Sequence, residues 1–311
     1  MERADRQLLR VVLHPSHPRG VPDALRALDA IELIEPTEDA VAGALEVADV
    51  LVTYIWHPDY LSDRLRWIQS ISAGIAQFPT GELERAGVVL TSASGVHGPQ
   101  VAEHVFALLL ALTRLVGVSM RDTTGRVWRP RMAHEIGGRT MAILGLGAIG
   151  EEVASRAKAW GINVIGIKSQ PDRYNGTVER VGGPDDMLGF CGEADIVVCV
   201  LPESGSTRGL IGAEALAAIG PGWFINVGRG SVLDEGALLR ALDDGELRGA
   251  GLDVFLEEPL PESSPLWDHP RVVITPHLAG MSPHYGERLA ALFETNRGAL
   301  EGGAPWKGRV V

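Results

Sequence analysis

A glycine-rich segment in the middle of the chain constrains the fold more than any other stretch. The apolar run Thr140–Leu144 leads into G-L-G-A-I-G at positions 145–150, and residues 151–160 that follow are good helix formers. A strand, a G-x-G-x-x-G turn and a helix in this order form the dinucleotide-binding βα unit. A pyrophosphate would lie at the helix N-terminus, where free N–H groups and the helix dipole favour an anion. The residues that this motif assigns to the cofactor are Gly145, Gly147, Ala148 and Ile149.

Each glycine of the turn has a separate predicted task. Gly145 makes the turn, Gly147 lets the backbone approach the pyrophosphate, and Gly150 lets the helix pack on the strand. A lone G-x-G-x-x-G is a weak signal, because glycine-rich turns also occur for geometric reasons. Here a strand and a helix flank it in the required places, which favours a cofactor site.

Composition and charge exclude several classes of partner. The chain has 311 residues, of which 45% are hydrophobic and 22% are charged, as in a soluble globular protein with room for two domains. Its formal net charge of −12 argues against nucleic acid or an anionic membrane surface as a partner. A small anionic substrate remains compatible with a local positive pocket.

The termini and the cysteines predict a cytoplasmic protein without a metal site. Residues 1–6 are charged and lack the apolar core of a signal peptide. The most apolar stretch, Val101–Val118, contains charged residues and falls short of the ~18 apolar residues that a membrane span requires. Only Cys191 and Cys199 occur, too few for a disulfide framework, and neither lies in a histidine-rich cluster.

Alternating apolar runs and helical segments predict two parallel-sheet α/β domains. A nearly continuous apolar helix, 101–115, separates two strand series and must be buried between domains or subunits. A last helix is predicted at 285–300. We therefore expect one domain at 99–282 and another formed by 1–98 plus 283–311. The predicted strands are 8–13, 30–34, 49–55, 65–70 and 88–91, then 141–144, 163–167, 195–201, 223–227, 249–254 and 272–275.

The residue that follows the second strand of the central unit selects the dinucleotide. An acidic side chain there binds the ribose 2′-hydroxyl of NAD, whereas a basic one accommodates the 2′-phosphate of NADP. The strand 163–167 is followed by Lys168 and Ser169. The sequence therefore favours NADP over NAD, although Lys168 could also be a solvated strand-end residue.

Three later segments place polar side chains directly after strands. Arg229 stands between two glycines, Glu258 follows the strand 249–254, and His277 follows the strand 272–275. Since ligands bind at the carboxyl ends of parallel strands, Arg229 could hold a carboxylate in bidentate fashion. A histidine whose second nitrogen faces a carboxylate can donate and accept protons. Read singly, each of the three could instead be structural or exposed.

Four motifs in order, G-L-G-x-I-G, N-V-G-R-G, L-D-V-F-x-x-E-P-L and T-P-H-L-A-G, resemble those of the D-isomer-specific 2-hydroxyacid dehydrogenases. The resemblance covers nearly the whole chain, because the segments 65–74 and 101–103 also look like the family's substrate loop and inter-domain helix. It implies two doubly wound parallel-sheet α/β domains, with a Rossmann cofactor domain (99–282) inserted into a flavodoxin-like substrate domain (1–98 plus 283–311).

The resemblance also implies roles for individual residues. Arg229 would bind the substrate's carboxylate and carbonyl, His277 would be the general acid/base, and Glu258 would orient it. Backbone N–H groups at Ala73 and Gly74 would hold the substrate carboxylate. The implied substrate-binding residues are thus Ala73, Gly74, Arg229 and His277. The cofactor would contact, besides the glycine turn, Lys168, Ser169, Leu201, Pro202, Thr207, Val227, Gly228, Asp253 and Gly280.

The activity implied is hydride transfer between NADP or NAD and a small 2-oxo or 2-hydroxy acid of the D series. Substrate-mouth candidates, for which packing is an equal alternative, are Tyr54, Trp56, His97 and Met281. The apolar helix 101–115 and Trp128 indicate a homodimer, with an inter-domain contact as the alternative. A dinucleotide-sensing, corepressor-like regulator with little or no turnover is the alternative function.

Overall fold

The computed structural model describes residues 8–311, so the charged segment 1–6 lies outside the described residues. The described chain divides into two compact units: residues up to His97 together with Met281–Val311, and Gly98–Gly280. Each unit is built around one parallel sheet.

The first unit contains a five-stranded sheet in the order β2-β1-β3-β4-β5, the order of flavodoxin-like folds. Apolar side chains cover both faces of this sheet, as a parallel sheet requires. Its elements are β1 (Leu9–Leu13), α1 (Val21–Arg26), β2 (Ile31–Ile34), α2 (Val41–Leu45), β3 (Val50–Thr53), β4 (Trp67–Ser70), α3 (Thr80–Arg85) and β5 (Val89–Thr91).

The second unit contains a seven-stranded parallel sheet in the order β12-β11-β10-β9-β6-β7-β8. The strand order reverses at β6, as in a Rossmann domain, and this reversal places the glycine turn at the switch point. Its elements are α4 (Gly98–Thr113), α5 (Val116–Thr124), β6 (Thr140–Leu144), α6 (Ala148–Ala159), β7 (Asn163–Ile167), β8 (Arg180–Gly182), α7 (Met187–Glu193), β9 (Ile196–Cys199), α8 (Ala213–Ile219), β10 (Trp223–Asn226), α9 (Glu235–Asp243), β11 (Gly249–Leu252) and β12 (Val272–Ile274).

The chain then returns to the first unit in helix α10 (Tyr285–Leu300), which packs on α1 and buries Phe293 against Trp67 of β4. The tail that follows pairs with β5, where the Val310 N–H donates to the Leu90 carbonyl at 2.8 Å. Trp67 donates its indole N–H to the Thr91 hydroxyl at 2.8 Å, so this buried N–H is satisfied.

The two doubly wound sheets confirm the predicted fold class, and eleven of the twelve strands coincide with predicted ones to within a few residues. The exception is β8, whose three residues lack an apolar run. Helices α3, α7 and α8, each six or seven residues long, were not located individually in the sequence.

Helix α4 differs from the prediction of a helix that is apolar and buried on all sides. It starts earlier, at Gly98, and most of it is buried, against α6 and the strands β10 to β12 of its own unit, which leaves one narrow exposed face. Glu103 lies on the exposed face. Among the described residues no single helix is long and apolar enough to span a membrane; α4 and α5 pass that test only together, with a 63° bend between them.

Candidate active site

The glycine turn joins β6 to α6 at the carboxyl edge of the seven-stranded sheet. Gly145 has φ 108°, a conformation that glycine adopts at no cost. A Cβ on Gly150 would lie closer than 3.0 Å to the Gly145 carbonyl, whereas a Cβ on Gly147 would meet no atom within 4 Å. Helix α6 starts at Ala148, and no side chain of the described chain caps it. Uncapped N–H groups beside an accessible glycine suit a pyrophosphate.

Lys168 follows β7 and turns back toward the glycine turn. Its ammonium group donates to the Leu146 carbonyl at 2.6 Å, and it lies 5.9 Å from the centre of the Tyr174 ring. Tyr174 in turn donates its hydroxyl to Glu151, in the first turn of α6. The half-buried Lys168 side chain is therefore held beside the glycine turn and does not extend into solvent. Ser169 is exposed.

Arg229 follows β10 in an extended conformation and is exposed between two buried glycines. A Cβ on Gly228 would overlap the backbone of Leu201, and one on Gly230 would overlap the carbonyl of Phe255. Both glycines therefore allow close approach of the chain's own backbone. They fix the position of Arg229, whose guanidinium donates to the Gly228 carbonyl at 2.7 Å.

Glu258 and His277 form a hydrogen-bonded pair. The His277 Nδ1 lies 2.6 Å from Glu258 Oε2, and the other carboxylate oxygen accepts the Phe255 N–H at 3.0 Å. Because an ionised carboxylate only accepts hydrogen bonds, it favours a hydrogen on Nδ1 and leaves Nε2 available to a ligand. The His277 side chain is 50% exposed, so its ring is accessible from solvent.

A buried carboxylate holds the turn that carries His277. Asp253 is 1% exposed, and its two oxygens accept hydrogen bonds from the Thr275 hydroxyl (2.6 Å) and the N–H groups of Leu278 and Ala279 (3.0 Å each). Burial alone would raise the pKa of Asp253, but hydrogen bonds from His104, Thr275 and these N–H groups outweigh burial and lower it. The sequence assigned Asp253 to the cofactor; in the structure its carboxylate binds the chain itself.

The remaining predicted cofactor residues follow strands of the same sheet. Val227 and Gly228 are buried after β10, and Leu201 and Pro202 follow β9. Thr207 donates its hydroxyl to the Pro202 carbonyl at 2.7 Å and thereby folds their loop. The Gly280 carbonyl accepts a hydrogen bond from the Gln100 amide at 3.1 Å.

The predicted substrate residues of the first unit lie after β4. Ala73 and Gly74 are exposed, and the Gly74 N–H donates to the Ser72 hydroxyl at 3.2 Å, so one of the two predicted N–H groups already has a partner. Among the mouth candidates, Tyr54 and Met281 are exposed. The other two pack on neighbouring aromatic rings: Trp56 on Tyr60 and Phe78, and His97 on Tyr285.

Sequence reasoning missed the contribution of α4. Gln100 and His104 lie four residues apart, so they share one face of the helix, and they reach Gly280 and Thr275 respectively. Two polar residues at this spacing on the buried face of an apolar helix were an available signal. Among residues 8–311, no group of three His, Cys, Asp or Glu side chains could hold a metal ion.

Comparisons with known proteins identify relatives of the chain. Residues 106–279 match the family described as D-isomer specific 2-hydroxyacid dehydrogenase, NAD binding domain. A glyoxylate/hydroxypyruvate reductase B of Pectobacterium atrosepticum is 37% identical over 228 residues, 71% of each chain. A glyoxylate/hydroxypyruvate reductase A of Serratia proteamaculans is 38% identical over 156 residues, half of each chain.

A solved structure extends the similarity to almost the whole chain. It is the NADPH-dependent glyoxylate/hydroxypyruvate reductase of Sinorhizobium meliloti in complex with NADP and sulfate, with a TM-score of 0.79 and 28% identity. The match covers 97% of this chain and 98% of that one.

Proposed function

Because the chain belongs to the D-isomer-specific 2-hydroxyacid dehydrogenases, oxidoreductases that use NAD or NADP, we propose that it reduces a small 2-oxo acid to the D-2-hydroxy acid with NADPH. The observation that carries the proposal is the Glu258–His277 pair, whose 2.6 Å hydrogen bond orients an exposed imidazole. Arg229 and the glycine turn follow strands of the same parallel sheet, whose carboxyl ends all face one edge.

The residues of the glycine turn fit a nicotinamide dinucleotide. Space beside Gly147 and the uncapped start of α6 admit a pyrophosphate. A basic residue in the place of the usual acid, Lys168, supports NADP as the preferred cofactor over NAD. When bound, the cofactor supplies the hydride for the carbonyl carbon, or accepts it in the reverse direction.

The chain's own residues bind the substrate and move the proton. The Arg229 guanidinium binds the substrate carboxylate and stabilises the negative charge that develops on the carbonyl oxygen. His277 donates the proton from Nε2 to this oxygen, while Glu258 holds the hydrogen on Nδ1 and stabilises the imidazolium. In the reverse direction neutral His277 accepts the hydroxyl proton.

A panel of oxo acids with both cofactors tests the proposal. Purified protein is mixed with NADPH or NADH and with glyoxylate, hydroxypyruvate, pyruvate or a bulkier oxo acid, and the cofactor absorbance is followed. Turnover of at least one small oxo acid is expected, faster with NADPH. A flat trace for every acid, with tight cofactor binding, would instead identify a dinucleotide sensor.

His277→Gln tests the acid/base role against a matched control. His269 also faces a carboxylate, that of Asp243 at 3.4 Å, but it precedes β12 and thus lies at the amino edge of the sheet. We expect His277→Gln to lower kcat by ~10² to 10⁴, the range of positioned proton transfer, with cofactor affinity retained. His269→Gln should keep wild-type kcat; equal effects in both variants would contradict the assignment.

We also propose that the protein is a cytoplasmic homodimer that covers the exposed apolar side chains of α5 and of the segment after it. Met120 is 68% exposed, Trp128 is 95% exposed and Met132 is 89% exposed, an unusual group of large apolar side chains in solvent. Sedimentation equilibrium should give a dimer for the wild type and a weaker dimer for Trp128→Ser. A monomeric wild type at micromolar concentration would rule the dimer out.

A further inference from the structure

His104 is a polar side chain on the buried face of α4 that the mechanism above does not use. Its Nε2 lies 2.8 Å from the Thr275 hydroxyl and 3.3 Å from Asp253 Oδ1, and its side chain is 13% exposed. These contacts join a helix to the two strand ends that precede the His277 turn.

The donors and acceptors of this cluster allow one arrangement. The Thr275 hydroxyl has a single hydrogen, which it gives to the Asp253 carboxylate at 2.6 Å. The Thr275 oxygen can therefore only accept from His104, so His104 Nε2 carries a hydrogen. The direction of donation runs from His104 to Thr275 and from Thr275 to Asp253.

The cluster ends on the backbone of the catalytic turn. Asp253 accepts the N–H groups of Leu278 and Ala279 with its carboxylate, and the His277 N–H with its carbonyl at 2.8 Å. His277 has φ 50°, a region that non-glycine residues occupy only when the surroundings hold them there. The side-chain bond to Glu258 is made from this backbone conformation.

We propose that His104 is a positioning residue: through Thr275 and Asp253 it holds the 277–279 turn in the conformation that presents the His277 ring to Glu258 and to substrate. The proposal rests on the proposed function for its effect on catalysis, but its effect on the turn can be measured without turnover.

The start of α4 adds a second contact to the same machinery. A Cβ on Gly98 would lie closer than 3.0 Å to Glu152 and 3.4 Å from the Ala148 carbonyl, so the helix begins directly against the first turn of α6. Helix α4 thus contacts α6 near its first residue and, through His104, contacts Thr275 and Asp253, which adjoin the 277–279 turn. Within the second unit, α4 therefore links the helix that follows the glycine turn to the residues beside the 277–279 turn.

Three substitutions separate positioning from general packing. His104→Leu removes the donor, whereas His104→Gln places an amide N–H near the position of Nε2. Phe106→Leu is the control for lost packing on the same helix, because Phe106 is buried on the ring of Trp160 and contacts neither Thr275 nor Asp253. Thr275→Val breaks the chain of hydrogen bonds at its middle member with little change in volume, and it serves if His104→Leu folds poorly.

Amide hydrogen exchange and steady-state kinetics are then measured on each variant. In His104→Leu and Thr275→Val we expect the N–H groups of Leu278 and Ala279 to exchange about tenfold faster, the effect of losing one hydrogen bond. We expect kcat to fall about tenfold with KM for cofactor nearly unchanged. His104→Gln should restore both quantities, and Phe106→Leu should leave both at the wild-type values.

Two results would overturn the proposal: wild-type exchange at Leu278 and Ala279 in His104→Leu, or the same acceleration in Phe106→Leu. If the wild type reduces no oxo acid, the proposed function fails, and the exchange rates alone decide whether His104 holds the turn.

Discussion

Replacing the two later glycines of the turn separately should distinguish cofactor binding from helix packing. Gly147 has φ −103° and ψ −163°, an extended conformation that alanine adopts readily, and an added Cβ meets no atom within 4 Å. Gly147→Ala should therefore fold as stably as the wild type, or gain about 0.4–1 kcal/mol through a less flexible unfolded chain. A Cβ on Gly150 would overlap the Gly145 carbonyl and touch Ile143. Overpacking of this kind costs about 1–3 kcal/mol.

The affinity for NADPH should fall more in Gly147→Ala than in Gly150→Ala, the reverse of the order expected for stability. Hydrogen bonds from the start of α6 to a pyrophosphate require N···O separations of about 2.9 Å, and a methyl group on Gly147 would hold the phosphate farther away. Loss of one charge-assisted hydrogen bond, worth about 1.5–3 kcal/mol, corresponds to an increase in Kd of roughly ten- to a hundredfold. Gly150→Ala should mainly lower Tm, by roughly 2–4 °C per kcal/mol for a unit of this size.

Thermal unfolding of the free protein and titration with NADPH, followed by its fluorescence, measure the two effects. We expect an unchanged or slightly higher Tm with weak binding for Gly147→Ala, and a reduced Tm for Gly150→Ala. Wild-type affinity in Gly147→Ala would refute the placement of the pyrophosphate against this glycine. A lowered Tm in the same variant would refute the open space that the structure shows there.

Three further predictions concern the cofactor, the buried carboxylate and the thiols. Lys168→Asp should raise the Kd for NADPH at least about tenfold and leave that for NADH unchanged or lower; a variant that still preferred NADPH would contradict our assignment of Lys168. Since the pKa of Asp253 is lowered, the stability that its ionised carboxylate contributes is present above pH ~4 and disappears as the pH falls through that pKa. The Tm difference between wild type and Asp253→Asn should therefore shrink on acidification and not grow. Burial raises the pKa of Cys191 to about 11 and of Cys199 to about 12, so mass spectrometry should find both unmodified after iodoacetamide treatment at pH 8, unless the protein is first unfolded.

The fold was largely predictable from the sequence because parallel strands buried on both faces are continuous apolar runs. The run at 223–227 and the run at 163–167 are examples, and the structure places strands within a residue of both. Strand β8 could not be predicted this way, since Arg180–Gly182 is an edge strand with one half-buried apolar side chain. Short helices such as α8 are difficult to predict for a related reason, because seven residues contain too few repeats of a helical period.

The candidate site was predictable to the extent that its residues follow strands. Arg229 and His277 each stand at a strand end, and this position alone implied the carboxyl edge of a sheet. What Asp253 contacts could not be predicted, because its partners Leu278 and Ala279 act through backbone N–H groups, which every residue type has. The spacing of residues in the sequence does not indicate which N–H groups bind the same carboxylate.

The exposure of the His277 side chain explains why a buried hydrogen-bond network holds the turn that carries it. A histidine that must reach a substrate cannot be fixed by packing, and His277 is half exposed with one side-chain partner, Glu258. Its position must then come from its own backbone, which lies in a sparsely occupied conformation and has to be held. Asp253 does this with both its carboxylate and its carbonyl, and it is itself beyond the reach of solvent. In the proposed reaction, the position of the exposed His277 ring therefore depends on Asp253, a residue too buried to touch the substrate.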